Sequence, residues 1–594
     1  MCVCVNKACA EGSEMQAPYV LVRYTAPDGK AHWLEGRKPV GIIQAHTRTA
    51  VLPALAAVEQ STARGLTAVG FVCYEAAHGL DLAFPHATAP LPLVWFALYK
   101  HLNATCERRS GSESVPTLVW RPQATRCDYE DAVRAVRAAI AAGEVYQVNY
   151  TFRLRAPFAG DLLPLFWELY ARQPVPYAAY IDLGAHAIAS LSPELLFTLE
   201  GEQITTRPMK GTAPRGLTLA DDLQQAERLT RCPKNRAENL MIVDMARNDL
   251  GRIARVGSVR VPRLFEAERY ATLWQMTSTI TACTDSPLPE IFRALFPAAS
   301  VTGAPKIRAT HWIHALERAP RGIYTGAIGI VLPNRRAQFN VAIRTLHYNK
   351  AAEQLEYGVG SGIVWDSDQI AEYEECLMKA QVLFASRPTF ELVETLLWRR
   401  GRGYFLLEAH LKRLRDSAYY FDFAVDIDAI RRQLLTVAEQ FTEPRCRVRL
   451  LANRQGQARV EYAPFPPERR VWRVALAREP IDPREVFLYH KTTHRQAYAQ
   501  ARASCPNCDD VILWNPRGEI TESTLANVVV RLSRRFYTPP VECGLLAGVY
   551  REHLLQRGLL HERVLTLDDL RHAEAVYLIN SVRGWIRAEL SHEF

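Results

Sequence analysis

The stretch Thr205–Gly216, TTRPMKGTAPRG, places one lysine, Lys210, between Pro208 and Pro214, with an arginine outside each proline. Proline lacks a backbone N–H and has a fixed φ, so both positions disfavour a helix or a central strand. We predict a stiff loop that presents the Lys210 amine. The flanking positive charge would attract an anionic substrate and lower the pKa of the amine. By composition alone, a surface turn with a solvated lysine is favoured, so the rest of the chain must decide.

The composition is that of an ordinary globular protein, with 594 residues, 48% hydrophobic and 23% charged. This length predicts about two to four domains. The formal charge of +9 is modest, and no block of Lys and Arg indicates nucleic-acid binding. An anionic small substrate explains the excess as well as a polymer does. Apolar runs are too short for a membrane span, and the first residues lack the order of a signal peptide, so we expect a cytoplasmic enzyme.

The sequence contains 13 cysteines, of which Cys505 and Cys508 form a CPNC pair. No second pair with metal-ligand spacing accompanies it. A redox or zinc role and a pair of reduced bystander thiols both remain open, and the bystander interpretation is favoured.

Periodicity predicts a helix over Asp128–Ala142 followed by an alternating strand over Glu144–Arg153. Further strands are predicted at Tyr177–Asp182, Ala187–Ser190, Leu195–Leu199, Tyr324–Leu332, Gln338–Leu346 and Gln354–Val359. Glu194 precedes the strand that begins at Leu195, and pairing of the following strands would bring it to Lys210. The alternative for Glu194 is a turn carboxylate.

Carboxylates and small polar residues accompany the next predicted elements. A helix over Lys234–Arg252 carries Glu238, and a helix over Gln369–Phe384 carries Glu372, Glu375 and Lys379. Glu372 and Glu375 lie one turn apart and share a face, so with Glu238 they could ligate a hard cation such as Mg²⁺. A surface pair between Glu375 and Lys379 is the alternative.

Two loops are predicted to be compatible with an anion. In Leu295–Arg308, a loop leading into a helix, Ser300, Thr302 and Gly303 could offer hydroxyls and backbone N–H groups to an anion at the helix start, and Thr302 is the residue expected to bind substrate. Gly358–Gly362, GVGSG, is predicted to be a flexible loop.

Many ordered motifs between Gly70 and Ser386 resemble the chorismate-binding enzymes, which include the anthranilate synthase large component, isochorismate synthase and aminodeoxychorismate synthase component I. The motifs are GEVYQVN, SPE, RPMKGT, RAENLMIVDMARNDLGR, FPAASVTGAPK, YTGAIG, FNVAIRT, YGVGSGI and EYEECLMKA. The resemblance implies an α/β sandwich of two large antiparallel sheets.

The resemblance also implies roles for individual residues. Glu238, Glu372 and Glu375 match the Mg²⁺ region, and the positions that contact chorismate are matched by Tyr324, Arg344, Gly360 and Lys379. Glu194 matches a general acid/base. Lys210 stands where anthranilate synthases typically carry alanine, and a lysine there implies amination at C4, with attack of the lysine on the ring at C2. No glutaminase signature is present, so either free ammonia or, as the resemblance implies, ammonia from a separate glutamine amidotransferase subunit is expected to supply the nitrogen.

After a short linker, Ala385–Pro388, the pattern of strands and helices restarts. We therefore predict a first domain over residues 1–386 and a second over 387–594. The motifs EAHLKRL, HKTTHR, GEITESTLANVVV, GLLAGVYRE and YLINSVRG resemble the fold-type IV pyridoxal-phosphate enzymes, with two α/β subdomains.

Within that resemblance, Lys491 matches the lysine that holds pyridoxal 5'-phosphate covalently, and Glu522 matches the acid facing the pyridine nitrogen. The matches to phosphate-binding positions are Arg413, Gly548, Val549, Asn580 and Ser581. Members of this group are usually dimers, which implies a homodimer through the second part.

The two resemblances together imply synthesis of 4-aminobenzoate for folate. The first part would aminate chorismate at C4, and the second would eliminate pyruvate, with Lys491 as anchor and general base. One alternative is an anthranilate synthase-like enzyme fused to a branched-chain or D-amino-acid aminotransferase. Another is an inactive module that binds chorismate or tryptophan and recruits an amidotransferase.

Overall fold

The computed structural model describes residues 18–106, 118–384, 388–465 and 471–591. The chain forms two units, one of Met1–Pro214 with Ala226–Arg387 and one of Arg215–Gln225 with Pro388–Phe594. The predicted linker at residues 385–387 lies outside the described residues. The short segment Arg215–Gln225 groups with the second unit although the sequence assigns it to the first.

The first unit contains two 10-stranded sheets. In the first sheet the strands follow the order Gly303–Ala304, Gln147–Pro157, Gln354–Ile363, Thr345–Asn349, His186–Ser192, Tyr177–Asp182, Tyr19–Thr25, Ala31–Arg37 and Asn103–Thr105, with Arg121–Pro122 beside Gln147–Pro157. All of its pairings are antiparallel.

The second sheet of this unit carries Lys210 on an end strand. The order is Met209–Pro214, Leu273–Cys283, Gln203–Arg207, Leu195–Glu200, Arg336–Val341, Ala327–Leu332, Thr67–Val72, Val94–Tyr99 and Gly41–Ala45, with Arg260–Arg269 also paired to Leu273–Cys283. These pairings are antiparallel as well.

Apolar side chains of both sheets share one core, which includes Val22 and Ile181 from the first sheet and Phe71 and Ile330 from the second. Helices cover the outer faces. The first sheet packs against Arg126–Ala141, Leu162–Arg172, Lys306–Leu316 and Gln369–Lys379, and the second against Arg48–Ala63, Ala77–Leu80, Pro233–Gly251 and Leu288–Leu295. The predicted two-sheet α/β sandwich is confirmed.

The helix Arg126–Ala141 shows how the sequence specifies this layer. It begins at Thr125, whose hydroxyl accepts from the Asp128 amide in a capping box. Tyr129, Val133 and Val136 are buried at helical spacing. The side of the helix that carries them therefore packs against the sheet.

Three local predictions are wrong. Thr205–Gly216 is not a loop, because Pro208 separates two strands and Pro214 ends the second, at positions where a missing N–H is tolerated. Gly358–Gly362 lies inside the strand Gln354–Ile363, where close neighbours exclude larger side chains. The predicted single strand Gln338–Leu346 is two strands, and the chain changes sheets at Arg344, which has a φ of 51°.

The second unit contains a 4-stranded and an 8-stranded sheet. The smaller sheet, Gly403–Tyr404, Leu392–Arg399, Arg445–Ala452 and Ala458–Pro464, packs against the helices Leu407–Phe421 and Ile427–Ala438. The larger follows the order Ile520–Ser523, Asp510–Trp514, Val471–Leu476, Gly584–Leu590, Ala575–Asn580, Asn527–Leu532, Arg535–Thr538 and His561–Glu562, with helices Gln496–Ser504, Val549–Gln556 and Leu567–Arg571. The two predicted α/β subdomains are confirmed. One further helix, Leu219–Arg231, includes the last residues of Arg215–Gln225.

Candidate active sites

A cavity of about 250 Å³ in the first unit brings together nearly all the side chains that the sequence predicts for it. The predicted residues that line it are Glu194, Lys210, Glu238, Tyr324, Arg344, Gly360, Glu372, Glu375 and Lys379. They come from both sheets and from two helices, so only the assembled sandwich forms the site.

Lys210 reaches this cavity from the end strand Met209–Pro214. Its Nζ atom lies 3.5 Å from a carboxylate oxygen of Glu238, which the helix Pro233–Gly251 presents. The amine also lies close to the strand Gln354–Ile363, since a Cβ added to Gly362 would be 2.4 Å from Nζ. The flanking arginines pair elsewhere, Arg207 with Glu268 and Arg215 with Asp222, so the predicted cationic loop around Lys210 is not formed by them.

Glu194 is a buried carboxyl beside the same cavity, with 3% of its surface exposed. Its Oε1 atom accepts a hydrogen bond from the Ser300 hydroxyl at 2.6 Å and a longer one from the Met209 amide at 3.4 Å. Burial raises the pKa of Glu194 to about 7, which outweighs the opposing effect of these donors. The group can therefore give or take a proton near neutral pH.

The helix Gln369–Lys379 contributes an ion pair to the cavity wall. The Lys379 amine donates to Glu375 at 2.7 Å and to the Gly360 carbonyl at 3.0 Å. Although burial opposes it, the Glu375 carboxylate raises the pKa of Lys379, so this lysine stays positively charged. This pair, which the sequence analysis gave as a surface alternative to a metal role, forms but lines the cavity.

Two buried polar atoms of this cavity have no hydrogen-bond partner among the residues that the structure describes. They are Nη1 of Arg344 and the hydroxyl of Tyr357. Unpaired buried donors are costly, so such atoms mark a place where a ligand completes the hydrogen bonding. A guanidinium donor fits a carboxylate oxygen. Position 358 accommodates only glycine, because a Cβ there would lie 2.3 Å from the Tyr324 ring.

The predicted Mg²⁺ ligands line the cavity but are engaged with protein groups. Glu238 pairs with Lys210, Glu375 pairs with Lys379, and Glu372 accepts from the hydroxyls of Ser361 and Ser367. Within the described ranges, no group of three or more His, Cys, Asp or Glu side chains is arranged to hold a metal ion.

Thr302 does not line the cavity. It is fully buried, and its hydroxyl donates to the Ala298 carbonyl at 2.9 Å. Its neighbour Ser300 is the residue of this segment that reaches the site, through Glu194. The sequence indicated both hydroxyls of this segment, and of the two only Ser300 lines the cavity.

A second cavity, of about 450 Å³, lies in the second unit and contains every residue predicted there. The predicted residues that line it are Arg413, Lys491, Glu522, Gly548, Val549, Asn580 and Ser581. Both sheets of the unit contribute, since Val393 and Trp472 also line it.

Lys491 is held by its main chain beside the smaller sheet, where its carbonyl accepts from the Val393 amide at 2.9 Å. Burial, reinforced by the positive charge of Arg413, lowers the pKa of Lys491 to about 8. A lysine with this pKa is partly neutral near physiological pH and can act as a nucleophile or a base.

Glu522 is fixed by three donors. Its carboxylate accepts from the Tyr498 hydroxyl at 2.7 Å, the Leu546 amide at 3.1 Å and the Asn527 amide group at 3.4 Å. Burial raises the pKa of Glu522 to about 7. Such a carboxyl is suited to face a protonated pyridine nitrogen, which would compensate the buried charge.

Arg413 is oriented by a carboxylate that sequence reasoning missed. Its guanidinium donates to both oxygens of Glu394, at 2.9 and 2.7 Å, and Glu394 also pairs with His410 at 2.7 Å. His410 Nε2 is buried, lines the cavity and has no hydrogen-bond partner within the described part of the chain. For His410, the available signal in the sequence was its place in the motif EAHLKRL, three residues before Arg413.

The remaining wall has the features of a phosphate site. Gly548 precedes the helix Val549–Gln556, whose first amides face an anion site by helix geometry. A Cβ at Gly548 would lie 1.9 Å from Asn527 Oδ1, so only glycine fits. Asn580 accepts from the amides of Val582 and Arg583 at 3.1 and 2.9 Å, which shapes the turn that holds Ser581. A lysine, a buried acid and an anion site in one cavity fit pyridoxal phosphate.

Four arginines at this cavity were not predicted, namely Arg447, Arg449, Arg495 and Arg583. They make the cavity suitable for a substrate with more than one negative charge. In the strand Arg445–Ala452, exposed arginines alternate with buried apolar residues, and that alternation was the signal in the sequence.

Outside the cavities, Cys505 and Cys508 are free thiols. None of the described helices combines the length and apolarity needed to cross a membrane.

Comparisons with known proteins match two successive parts of the chain to two families. Residues 18–385 match the model for chorismate binding enzymes, and residues 391–589 match the model for class IV amino-transferases. Aminodeoxychorismate synthase component 1 of Salmonella typhimurium is 42% identical over 265 residues, which are 44% of this chain and 58% of that protein. Aminodeoxychorismate synthase of Streptomyces pristinaespiralis is 37% identical over 308 residues, 50% of this chain and 43% of that protein.

The chain thus spans about half the length of these curated relatives. Anthranilate synthase component I of Streptococcus pneumoniae has the same fold, with a TM-score of 0.51 and 23% identity over 64% of this chain and 95% of that one. The match to the chorismate-binding model covers most of the chain and includes the strands of the two-sheet sandwich and the residues that line its cavity. The chain belongs to the chorismate-binding enzyme family.

Proposed function

We propose that this chain makes 4-aminobenzoate from chorismate in two steps, amination at C4 in the first unit and elimination of pyruvate in the second. The observation that carries the proposal is the Lys210 amine in the cavity of a chorismate-binding enzyme, 3.5 Å from Glu238. The relatives named aminodeoxychorismate synthase support C4 as the site of amination. The class IV amino-transferase match supports a pyridoxal-phosphate reaction in the second unit.

In the first step, Lys210 Nζ attacks C2 of chorismate while the C4 hydroxyl leaves with a proton from Glu194. Ammonia then bonds to C4, and the bond between Lys210 and C2 breaks, so the amine of the enzyme is regenerated. The unpaired Arg344 donor and the charged Lys379 supply positive charge for the substrate carboxylates. The near-neutral pKa of Glu194 supports its role as acid and base.

Mg²⁺ is part of the proposal for this step. Glu238, Glu372 and Glu375 are hard oxygen donors that line the same cavity, and they would hold the ion after Glu238 and Glu375 exchange their lysine partners for it. The ion supplies charge neutralisation for a substrate carboxylate. Removing Mg²⁺ with a chelator should stop chorismate amination and leave pyridoxal-phosphate absorbance unchanged. Amination at full rate without Mg²⁺ would contradict this assignment.

In the second step, the residues that would hold pyridoxal phosphate are Lys491, Arg413, Glu522, Gly548, Val549, Asn580 and Ser581. The cofactor, when bound, acts as an electron sink for the carbon next to the substrate amine. Lys491 removes the proton at substrate C4, for which its lowered pKa is suited. Pyruvate leaves and the ring becomes aromatic. Arg447, Arg449, Arg495 and Arg583 supply charge for the substrate carboxylates.

The proposal includes partners. A separate glutamine amidotransferase subunit would supply ammonia, as the words "component 1" in the name of the Salmonella protein support. We further propose a homodimer formed through the second part and a cytoplasmic location. Size measurement of the purified protein, alone and with an amidotransferase subunit, tests the assembly.

Product identification tests the proposed function. Purified protein is incubated with chorismate, an ammonium salt, Mg²⁺ and pyridoxal phosphate, and the aromatic product is identified by chromatography. We expect 4-aminobenzoate with one pyruvate per ring. Anthranilate would contradict the assignment of Lys210, and accumulated aminodeoxychorismate would contradict that of the second unit.

A further inference from the structure

The segment Arg215–Leu217 forms a closed loop within the second unit, although it directly follows the strand of Lys210. Arg215 Nε and Nη2 donate to the two carboxylate oxygens of Asp222 at 2.7 and 2.8 Å. The side chain of Arg215 is 8% exposed and that of Asp222 is 0% exposed. A bidentate pair buried to this extent has defined geometry, so the loop is ordered rather than a loose connection.

Gly216 makes this loop tight. Its amide donates to Asp222 Oδ1 at 2.9 Å. A Cβ at this position would lie 2.2 Å from the Asp222 nitrogen, which is backbone and cannot move aside. The loop therefore requires glycine here, and its carbonyl groups are directed outward to other partners.

Tyr420, on the helix Leu407–Phe421, contacts this loop. Its hydroxyl donates to the Gly216 carbonyl at 2.7 Å, and its own carbonyl accepts from Arg215 at 3.0 Å. The Arg215 guanidinium lies 4.3 Å from the centre of the Tyr420 ring. The same helix carries Arg413 of the second cavity.

His490 is the second residue that the loop holds. Its Nε2 atom lies 3.1 Å from the Leu217 carbonyl, and its Nδ1 atom lies 3.0 Å from the Ser417 hydroxyl. A carbonyl can only accept, so Nε2 carries the proton and Nδ1 accepts from Ser417. The ring also packs on Tyr420, with centres 4.4 Å apart. Burial lowers the pKa of His490 to about 4, so the imidazole stays neutral and keeps both hydrogen bonds at neutral pH.

His490 directly precedes Lys491, and the two residues are held from different directions. The Lys491 carbonyl is bound by the Val393 amide of the smaller sheet, while the His490 ring is bound by Leu217 and Ser417. We propose that the segment Arg215–Leu217 is a positioning element of the second site, which fixes His490 and thereby the backbone that presents Lys491. The inference rests on the proposed role of Lys491 as the lysine that holds pyridoxal phosphate.

Tyr420→Phe in the full-length protein tests the inference, because it removes one hydrogen bond to the loop and keeps the aromatic ring. Tyr404→Phe is the matched control, since the Tyr404 hydroxyl donates to the Leu434 carbonyl at 2.8 Å in the same unit and does not line the cavity. Both proteins are loaded with pyridoxal phosphate. The measurements are the dissociation constant of the cofactor, the pH midpoint of its visible absorbance, and amide hydrogen exchange of peptides covering 215–225 and 488–495.

Loss of one such hydrogen bond corresponds to about a fivefold change in a local equilibrium. We expect Tyr420→Phe to raise the dissociation constant of the cofactor and the amide exchange rate of both peptides by about this factor. It should also shift the pH midpoint of the visible absorbance. Tyr404→Phe should leave all three unchanged even if it lowers the melting temperature equally. Equal effects of the two variants, or no effect of Tyr420→Phe, would overturn the inference.

Gly216→Ala is the stronger variant, since it prevents the loop from closing, and we expect a larger change in the same measurements. If it fails to fold, Tyr420→Phe still decides. Failure of the proposed function is recognised separately. In that case the wild-type protein shows no pyridoxal-phosphate absorbance that depends on Lys491, whereas failure of the inference leaves that absorbance intact and insensitive to Tyr420.

Discussion

The two cavities use the same pair of residue types in different electrostatic surroundings. Each contains a lysine and a buried glutamate whose pKa is raised to about 7 by burial, Glu194 in one and Glu522 in the other. The lysines differ in their neighbours. Lys210 lies beside the carboxylate of Glu238, whereas Lys491 lies near the guanidinium of Arg413, which together with burial lowers its pKa to about 8.

The difference teaches how a lysine is matched to its chemistry. In the proposed mechanism, substrate or Mg²⁺ takes over the Glu238 carboxylate before the Lys210 amine reacts. A lysine that is buried near arginine is partly neutral already, which suits a residue that binds a cofactor aldehyde and later moves a proton. The predictions below test this contrast.

Lys491→Ala should have the largest effect. The variant loses both the cofactor anchor and the proposed base, so 4-aminobenzoate output should fall by about a thousandfold or more. Visible absorbance of bound pyridoxal phosphate should disappear, while chorismate consumption continues. Absorbance titration and product chromatography measure both effects, and unchanged 4-aminobenzoate output would refute the assignment.

Lys210→Ala should reduce chorismate amination by about a hundredfold to ten-thousandfold, since the nucleophile is lost and Glu238 remains without its partner. Lys350→Ala is the control, because the Lys350 amine pairs with Asp182 at 2.8 Å and does not line the cavity. Cofactor absorbance should not change in either variant. Amination that survives loss of Lys210 would disprove the covalent route.

Arg344→Gln should weaken chorismate binding, because a charged donor to a carboxylate is removed. A hydrogen bond to a charged group corresponds to about a tenfold to hundredfold rise in KM, with a smaller change in kcat. Arg335→Gln is the control, since Arg335 also has a positive φ but donates to the Gly201 and Ser286 carbonyls. Steady-state kinetics of both variants test this prediction. Equal KM values for chorismate in the two variants would contradict the role of Arg344.

Glu194→Gln should lower the amination rate, because the proposed acid is lost, and its most diagnostic effect is a change in pH dependence. The pKa of Glu194 is raised from 4.5 to about 7, so the folded protein binds more protons than the unfolded chain between these values. Its contribution to stability is therefore greatest below pH 4.5 and decreases as pH rises toward 7. In the variant, this decrease in stability between pH 4.5 and 7 should be absent, and the amination rate should no longer fall above pH 7. Melting temperature and kcat/KM against pH measure both.

Glu522→Gln sharpens the same comparison. It should alter the pH profile of pyruvate release and leave that of amination unchanged, because the two glutamates lie in different cavities. If both variants changed the same step, the proposed division of labour would be wrong.

The sequence predicted elements with strong periodicity well, as at Tyr177–Asp182, where the observed strand has the predicted bounds. It failed where tertiary contacts override local signals. Gly358–Gly362 looks like a loop, yet it lies in a strand. The strand contains glycines because Tyr324 and Lys210 approach it closely. The position of Arg344 at a change of sheets was equally hidden, since its apolar neighbours continue the alternation of the strand before it.

Motifs in the sequence predicted side chains that line the two cavities, but not all of the residues that orient them. Glu394, which holds Arg413, was not predicted. Ser300 was predicted as a donor to an anion, but its contact with Glu194, far away along the chain, was not. The loop around Gly216 shows the limit most clearly. Nothing in the local sequence indicates that Arg215–Leu217 belongs to the second unit and contacts His490.

The most direct test of the central claim follows ¹⁵N-labelled ammonium and chorismate by NMR in the wild-type protein and in Lys491→Ala. The account predicts that the wild type gives 4-aminobenzoate labelled at the C4 nitrogen with equimolar pyruvate. It predicts that the variant accumulates the labelled, non-aromatic amine and releases no pyruvate. Label at C2, or 4-aminobenzoate formed equally by both proteins, would contradict it.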